Sequence, residues 1–479
     1  STNASIFLKG NPGSIAEIYI GAGALLQLWE GGTVHLSDSD RNMIRGAGSG
    51  RLENWGNLIQ GAGGIGNHEI SILNAGTIRA SGTNALILDP GLGGMSNSGE
   101  LQAARGSTLE LRSGKYSNFF FEFDGITEER IEVRGRIETD EGKLVIGPLA
   151  VIEGGDVQIS PFSGGEIRLE GGSIIDGVAG GFKSRVKTYN SSSGQIVVSA
   201  NSTLGGVLQN AGTMTIQNGA RLTVPDGTVF YNPGSILVDG NGQGLTEIFI
   251  QGGDFTLFGS PPMQPQSRAL ASKEGALILR GGVARARLRG TGGARLLIES
   301  GVITGAGDLG NNTMAIENRG TIRAEAAGEE LLINPDSRGF MNHGRVEIAP
   351  TGVLHMQSND PFRQAGGTLH IDGLFLAERG AELAGGSLSG SGTLRGNALI
   401  QAGRCAPGSP IGQLTIDGRC TFGPDSRAQF QVGGASLDQL NVSGGATLAG
   451  ILEIITLAPP RPDQSFEIIR AGSLSGRFA

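Results

Sequence analysis

Asn74-Ala75-Gly76-Thr77-Ile78-Arg79 is a glycine-bearing corner followed by a short strand, and it returns as Asn318-Arg319-Gly320-Thr321-Ile322-Arg323. Asn54-Trp55-Gly56, Asn97-Ser98-Gly99, Asn210-Ala211-Gly212 and Asn342-His343-Gly344 open further copies. Adjacent copies lie 20 residues apart from Asn54 to Asn74, 23 from Asn74 to Asn97 and 24 from Asn318 to Asn342. A repeat of roughly 22 residues holding two or three short strands is the size of one coil of a parallel β-helix. Stacked coils would place each corner asparagine over its copy, where side-chain amides hydrogen-bond as a ladder. Asn54, Asn74, Asn97, Asn210, Asn318 and Asn342 are the expected ladder. The competing reading is a set of isolated turns in which Asn merely tolerates a left-handed backbone. Recurrence with the same following strand favours the ladder.

Working outward, the texture stays the same. Thr33-Val34-His35-Leu36, Thr108-Leu109-Glu110-Leu111 and Thr368-Leu369-His370-Ile371 alternate apolar and polar residues, so one face of each is buried. No convincing amphipathic helix exceeds two turns. Glycine supplies 84 of 479 residues, about two and a half times the usual share. It shows no collagen-like period, and 38% of the chain is apolar, which argues against disorder. Many short strands joined by tight glycine turns account for both facts. Propeller blades would need periods of roughly 40 to 50 residues, which are not found; an array of β-sandwiches is the other rival. The expected fold is all-β, a single right-handed parallel β-helix (β-solenoid) of roughly 20 coils.

A longer echo joins the two halves. Gly61-Ala62-Gly63-Gly64-Ile65-Gly66-Asn67 returns as Gly305-Ala306-Gly307-Asp308-Leu309-Gly310-Asn311, and after a one-residue slip Leu88-Asp89-Pro90 matches Ile333-Asn334-Pro335. Two or three coils are expected to have been duplicated as a block. Ser260-Pro261-Pro262 and the residues to Ser267 cannot continue a ladder, because proline lacks the donor; they read as an exposed excursion. Tyr189-Asn190-Ser191-Ser192-Ser193-Gly194 reads likewise. Residues 1–400 form the expected body, with 401–479 as C-terminal coils continuous with it.

That C-terminal region carries a recognisable ordered series: Ser391-Gly392-Thr393-Leu394, Ala406-Pro407-Gly408-Ser409-Pro410-Ile411-Gly412-Gln413-Leu414, Leu437-Asp438-Gln439-Leu440-Asn441-Val442, Ala446-Thr447-Leu448, Gln464-Ser465-Phe466-Glu467-Ile468 and Ser475-Gly476-Arg477-Phe478. Over about 90 residues it resembles the end of bacterial autotransporter passengers and related secreted β-helix proteins. The resemblance implies export across the bacterial envelope and adhesive, structural or occasionally enzymatic roles. Two features depart from it. No membrane barrel follows Ala479, and the family pattern usually lacks cysteine. In an exported protein Cys405 and Cys420 are expected as a disulfide pinning adjacent strands, with two buried unpaired thiols as the alternative.

The sequence offers little chemistry. Enzymatic β-helices cluster carboxylates, often with calcium and a basic residue. Asp124, Glu128, Glu129, Glu132, Glu138, Asp140 and Glu141 interleave with Arg130, Arg134 and Arg136, which reads as a solvated, mutually neutralising face. His35, His68, His343, His355 and His370 are scattered without ligand spacing. Asp239-Gly240-Asn241-Gly242 is expected to be a plain turn. Arg285, Arg287 and Arg289 alternate as a basic stripe, a candidate self-association face for a neighbour's acidic surface. Phe119, Phe121 and Phe123 should share one face, opposite Phe120, as a stacked core layer or an exposed interaction cluster. No catalytic, cofactor or metal residues are assigned.

A net charge of -8 argues against nucleic acid as the main partner. No apolar run reaches the roughly 18 residues of a membrane span, and no signal segment opens the chain, so a mature form or excised segment is expected. The expected function is a secreted structural or adhesive surface protein, not an enzyme, that associates with itself head-to-tail or laterally, or with surface glycans or a host or cell surface. The alternative is a β-helix that binds or acts on polysaccharide.

Overall fold

The computed structural model describes residues 4–29, 31–123, 130–179, 181–259, 275–408, 410–433, 436–458 and 464–479. Every regular element among them is a strand. The described residues form a β-solenoid of about 18 turns, built from parallel strands. It forms two compact units, Ser1–Ile236 and Leu237–Ala479. Strand Ala398–Pro407 passes through residue 401 and pairs with strands before and after it, so the C-terminal coils run on from their predecessors.

A coil in the first unit shows the building rule. Thr77–Ala80, Leu86–Leu88 and Met95–Asn97 make its three sides. Thr77–Ala80 lies between Leu58–Gly61 and Glu100–Ala103, in parallel register. Alternation sends Ile78 and Ala80 inward, and register then stacks each inward residue on its counterpart. One such column runs Ile59, Ile78, Leu101, Ile137, Val157, all fully buried. In the second unit Leu354, Phe375, Leu394, Ile416 and Val442 form an equivalent column. Each such side chain contributes about 1.5–3 kcal/mol relative to exposure.

The corners carry the polar order. Asn54 donates its Nδ2 to Asn74 Oδ1 at 2.8 Å, Asn74 to Asn97 at 2.8 Å, and Asn97 to Asn118 at 2.7 Å. A second run joins Asn190, Asn210 and Asn232, each step 2.6 Å. A third joins Asn318 to Asn342 at 2.8 Å and Asn342 to Gln364 at 3.3 Å. All six expected asparagines are buried ladder members. Asn118, Asn190, Asn232 and Gln364 extend it. The segment 189–194 is therefore an enlarged ladder corner and not the expected excursion: Asn190 is buried in the run and Gly194 starts the next strand. The Ser260–Ser267 excursion lies outside the described residues.

At most of these corners glycine follows the asparagine because no side chain fits, and at Gly56 because the backbone has a positive φ of 84°. A Cβ on Gly99 would sit 2.1 Å from Gly76 O, and one on Gly344 would sit 2.2 Å from Gly320 O. The duplicated block keeps its backbone as well: Asn67 and His68 at φ 48° and 60° match Asn311 and Asn312 at 46° and 56°.

The phenylalanine run leaves the coil. Phe119–Phe123 pairs antiparallel with Arg130–Arg134 as an arm, inserted between Asn118 and the Gly135 that completes its corner. A second arm pairs Gly177–Ala179 with Phe182–Ser184. Of the described side chains of the run, Phe119 alone is buried, and the Phe123 side chain lies outside the description; Phe121 packs on Phe182 at 5.5 Å, with Arg130 over the Phe182 ring. A stacked core layer is thus replaced by a small aromatic cluster between two arms, because the antiparallel pairing removes these residues from the parallel ladder.

The disulfide expectation is also corrected. Cys405 and Cys420 are free thiols, both buried. Cys405 faces Leu388 and Ala428 along the ladder, and Cys420 faces Ala398 and Ala446, so neither stands opposite the other. Burial pushes the Cys405 thiol up to about 12 and that of Cys420 well above its ordinary value.

Candidate interaction surfaces

Of the expected basic stripe, Arg287 and Arg289 share the outward face of strand Ala286–Gly290. Arg285 lies in the turn before strand Ala286–Gly290. Arg289 bonds the buried Glu247 through two nitrogens, at 2.7 and 3.1 Å, and lies 4.4 Å over Phe249. Arg287 faces the buried Asp308 at 3.9 Å. Desolvation raises the Asp308 carboxyl above its usual range, against a backbone bond from Asn311 and the Arg287 charge. Two of the three arginines therefore serve carboxylates of their own unit.

The acidic cluster is likewise neutralised where it is described. Glu132 pairs with Arg134 at 2.8 Å, Glu138 with Arg136 at 3.2 Å, and Glu141 with Arg105. Asp140 accepts from Ser163. Asp124, Glu128 and Glu129 lie outside the described residues. Among the histidines, His355 bridges Glu330 and Glu378 at 3.3 and 3.0 Å, and His370 contacts Asp372 at 2.9 Å and Ser389 at 2.9 Å. His35 stacks on Phe7. His68 lies 3.7 Å from Asp89, whose carboxylate instead accepts from Ser113 at 2.6 Å. His343 lines a glycine-rich corner groove with Arg319 and Arg345. Asp239 closes its own turn, accepting from Asn241 N at 3.4 Å. Among the described residues no group of three or more His, Cys, Asp or Glu side chains could hold a metal.

The first described coil, with strands Ser5–Leu8, Ala16–Ile20 and Leu25–Trp29, has a different surface. Phe7 stacks on His35 at 4.6 Å and Trp29 on Trp55 at 5.3 Å, while Arg45 lies 5.8 Å over Tyr19. Phe7, Tyr19 and Trp29 remain 62%, 56% and 57% exposed. Glu53 fixes the tryptophan pair: it accepts from Gln27 at 2.8 Å and Trp55 Nε1 at 3.0 Å and pairs with Arg51. These two hydrogen bonds hold its carboxyl below the usual range. In the second unit, strands Ile451–Thr456 and Ile469–Gly476 expose Ile451, Ile454 and Leu474, and Leu457 just beyond the first is exposed as well. The exposed rings of Tyr19 and Trp29 were not singled out in the sequence, because alternation gives the direction of a side chain and not what covers it.

One depression in the second unit, of about 390 Å³, is lined by Asp254, Arg295, Ala315, Glu317, Arg338, Gly339, Asp360 and Arg363. Arg338 spans it, bonding Asp336 and the carbonyls of Gly293 and Ala294. The residues come from five stacked strands and the turns between them, and no local motif announces them.

The C-terminal series gains a structural account. Buried Asp438 accepts from Gly412 N at 3.1 Å and Gln431 N at 2.7 Å, tying the 406–412 stretch to the following coil. Desolvation raises its carboxyl above the ordinary range, against those two bonds.

Fold and surfaces together define the class as a parallel β-solenoid with a laddered interior. A scan against models of protein families found no match, and searches of curated proteins and of solved structures found none.

Proposed function

We propose that this chain is a secreted bacterial surface or fibre protein that works by presenting and joining solenoid surfaces, without catalysing a reaction. The carrying observation is the aromatic surface of the coil Ser5–Trp29. Among the described residues strand Ser5–Leu8 pairs along one edge, in parallel with Thr33–Leu36, and a strand edge is a template for a further strand. The aromatic rings around that edge are each more than half exposed. An edge of this kind takes another parallel strand, and rings already stacked on one side take a further ring or apolar side chain on the other. The exposed isoleucines and leucines of the Ile451–Gly476 coil offer a second surface of similar chemistry. A heterologous contact that does not close builds a filament. The C-terminal resemblance supports an extracellular or cell-surface location.

Electron microscopy and sedimentation over a wide concentration range test this reading. Filaments or oligomers that grow with concentration, and that vanish in a Phe7→Glu/Trp29→Glu double variant, are the expected result. A monodisperse particle at every concentration would overturn it.

A further inference from the structure

We propose that the depression bounded by Arg295, Arg338 and Arg363 binds a neutral, linear glycan laid along the stacked strands. Two of these guanidinium groups have donors to spare. Arg295 stands 3.8 Å from Asp254 and 3.6 Å from Glu317, outside hydrogen-bond range, and its buried Nε has no hydrogen-bond partner. Arg363 reaches Asp360 only at 3.5 Å and Glu382 at 3.9 Å. Arg289 with Glu247 and Arg323 with Glu347 pair more closely, at 2.7 Å, while Arg287 and Asp308, 3.9 Å apart, are as loose as these pairs. A guanidinium has five N–H donors in a rigid fork, so the loose pairs leave a row of unspent donors beside carboxylate acceptors.

Space is built in by small residues. The outward position occupied by Asp254 and Arg295 passes in register to Ala315, and Gly339 precedes Phe340 in the next strand. Arg295 and Arg363 stand three rungs apart, about 14 Å at the 4.8 Å spacing of paired strands. The binding surface is thus elongated, shallow and continuous across several rungs.

Its chemistry selects among partners. Arg295, Arg338 and Arg363 face Asp254, Glu317 and Asp360 around the depression, three cations against three anions. A polyanion gains nothing from a site of zero net charge in a chain of charge -8. Ile316 and Phe340 in its floor are each only 2% exposed and Met341 alone of the large apolar lining residues is part-exposed, so a protein partner finds little apolar area to anchor on. Sugar hydroxyls both donate and accept, and they match alternating guanidinium and carboxylate groups.

The test is a microarray of linear neutral hexasaccharides (gluco-, xylo-, manno-, galacto- and N-acetylglucosamine series) with uronate hexamers alongside, followed by calorimetry on any ligand retained. At least one neutral hexasaccharide should bind, and Arg295→Ala/Arg363→Ala should weaken it at least tenfold without changing the unfolding temperature or the sedimentation behaviour. Ala315→Trp should block it as well, whereas Arg345→Ala on another face should not. Three results would each overturn the proposal: no neutral glycan retained, stronger binding of uronates, or affinity unchanged in the double arginine variant. Because assembly is read separately, failure here leaves the self-association reading standing, and the reverse.

Discussion

Asn97 donates its side-chain amide to Asn118 at 2.7 Å, although a whole hairpin arm separates Asn118 from the glycine that completes its corner. The ladder therefore depends on the stacked position of each amide and not on the local Asn-x-Gly sequence. Within each run the amides are tied from coil to coil, and the Oδ1 atoms of Asn190 and Asn318, which open their runs, have no hydrogen-bond partner. That makes the corner a cooperative structure, in which removing one member strands the donors and acceptors of its neighbours.

Asn97→Ala should accordingly destabilise the chain by about 2–4 kcal/mol, since it leaves Asn74 and Asn118 each short of a partner in a buried site. Chemical denaturation of the variant against the parent measures this. A loss below about 0.5 kcal/mol, the range of ordinary surface substitutions, would show that the ladder contributes nothing.

Glycine substitutions should separate into two groups. Gly99→Ala places a methyl 2.1 Å from the Gly76 carbonyl, so the stacked backbones must move apart, at about 3 kcal/mol or more. Gly48→Ala and Gly292→Ala meet nothing within 4 Å and have no positive φ, so they should be neutral within about 0.5 kcal/mol. Thermal unfolding of the three variants side by side gives the answer; equal losses would contradict the packing argument.

Acid should weaken the first unit through Asp38. Its carboxylate accepts from Thr83 Oγ1 at 2.6 Å and Asn84 N at 2.8 Å, and these bonds hold its pKa at about 2, below the model-compound 3.8. A depressed folded pKa means stability that is present above about 4 and is lost as the pH falls toward about 2. The stability difference between the parent and Asp38→Ala should therefore shrink across that window. Denaturation curves at pH 5, 3.5 and 2 check it, and a difference independent of pH would refute the assignment.

Thiol chemistry gives a further check. With both thiols buried and their thiolates disfavoured, Cys405 and Cys420 should resist alkylation at pH 8 in the folded protein and react fully in denaturant. Reductant should leave the unfolding temperature unchanged. Intact mass two units low, with no free thiol after unfolding, would restore the disulfide.

Much of the fold was legible because it repeats. Asn74-Ala75-Gly76-Thr77-Ile78-Arg79 states in six residues where the corner is, which residue turns inward and which position excludes a side chain. Asn232-Pro233-Gly234 carried the same signal and went unused. Asn118 and Gln364 could not be found this way, the first because an arm interrupts its motif, the second because another amide takes the asparagine's place. Cys405 and Cys420 misled through their nearness in sequence; the solenoid puts them against different ladder neighbours. Arg285, Arg287 and Arg289 misled because alternation gives the direction of a side chain and not its partner, which comes from strands one coil away. The same limit hid the Arg295 to Arg363 depression, whose members are neighbours only once five strands are stacked.

The arm inserted between Asn118 and Gly135 separates two kinds of variation. Amide and glycine keep their places in the stack whether one residue or a hairpin lies between them, so extra loops can be gained or exchanged at a corner while the interior stays as it is. A peptide grafted in place of Ala211, between Asn210 and Gly212, would be carried outward on an unaltered scaffold, and several corners could each bear a different one.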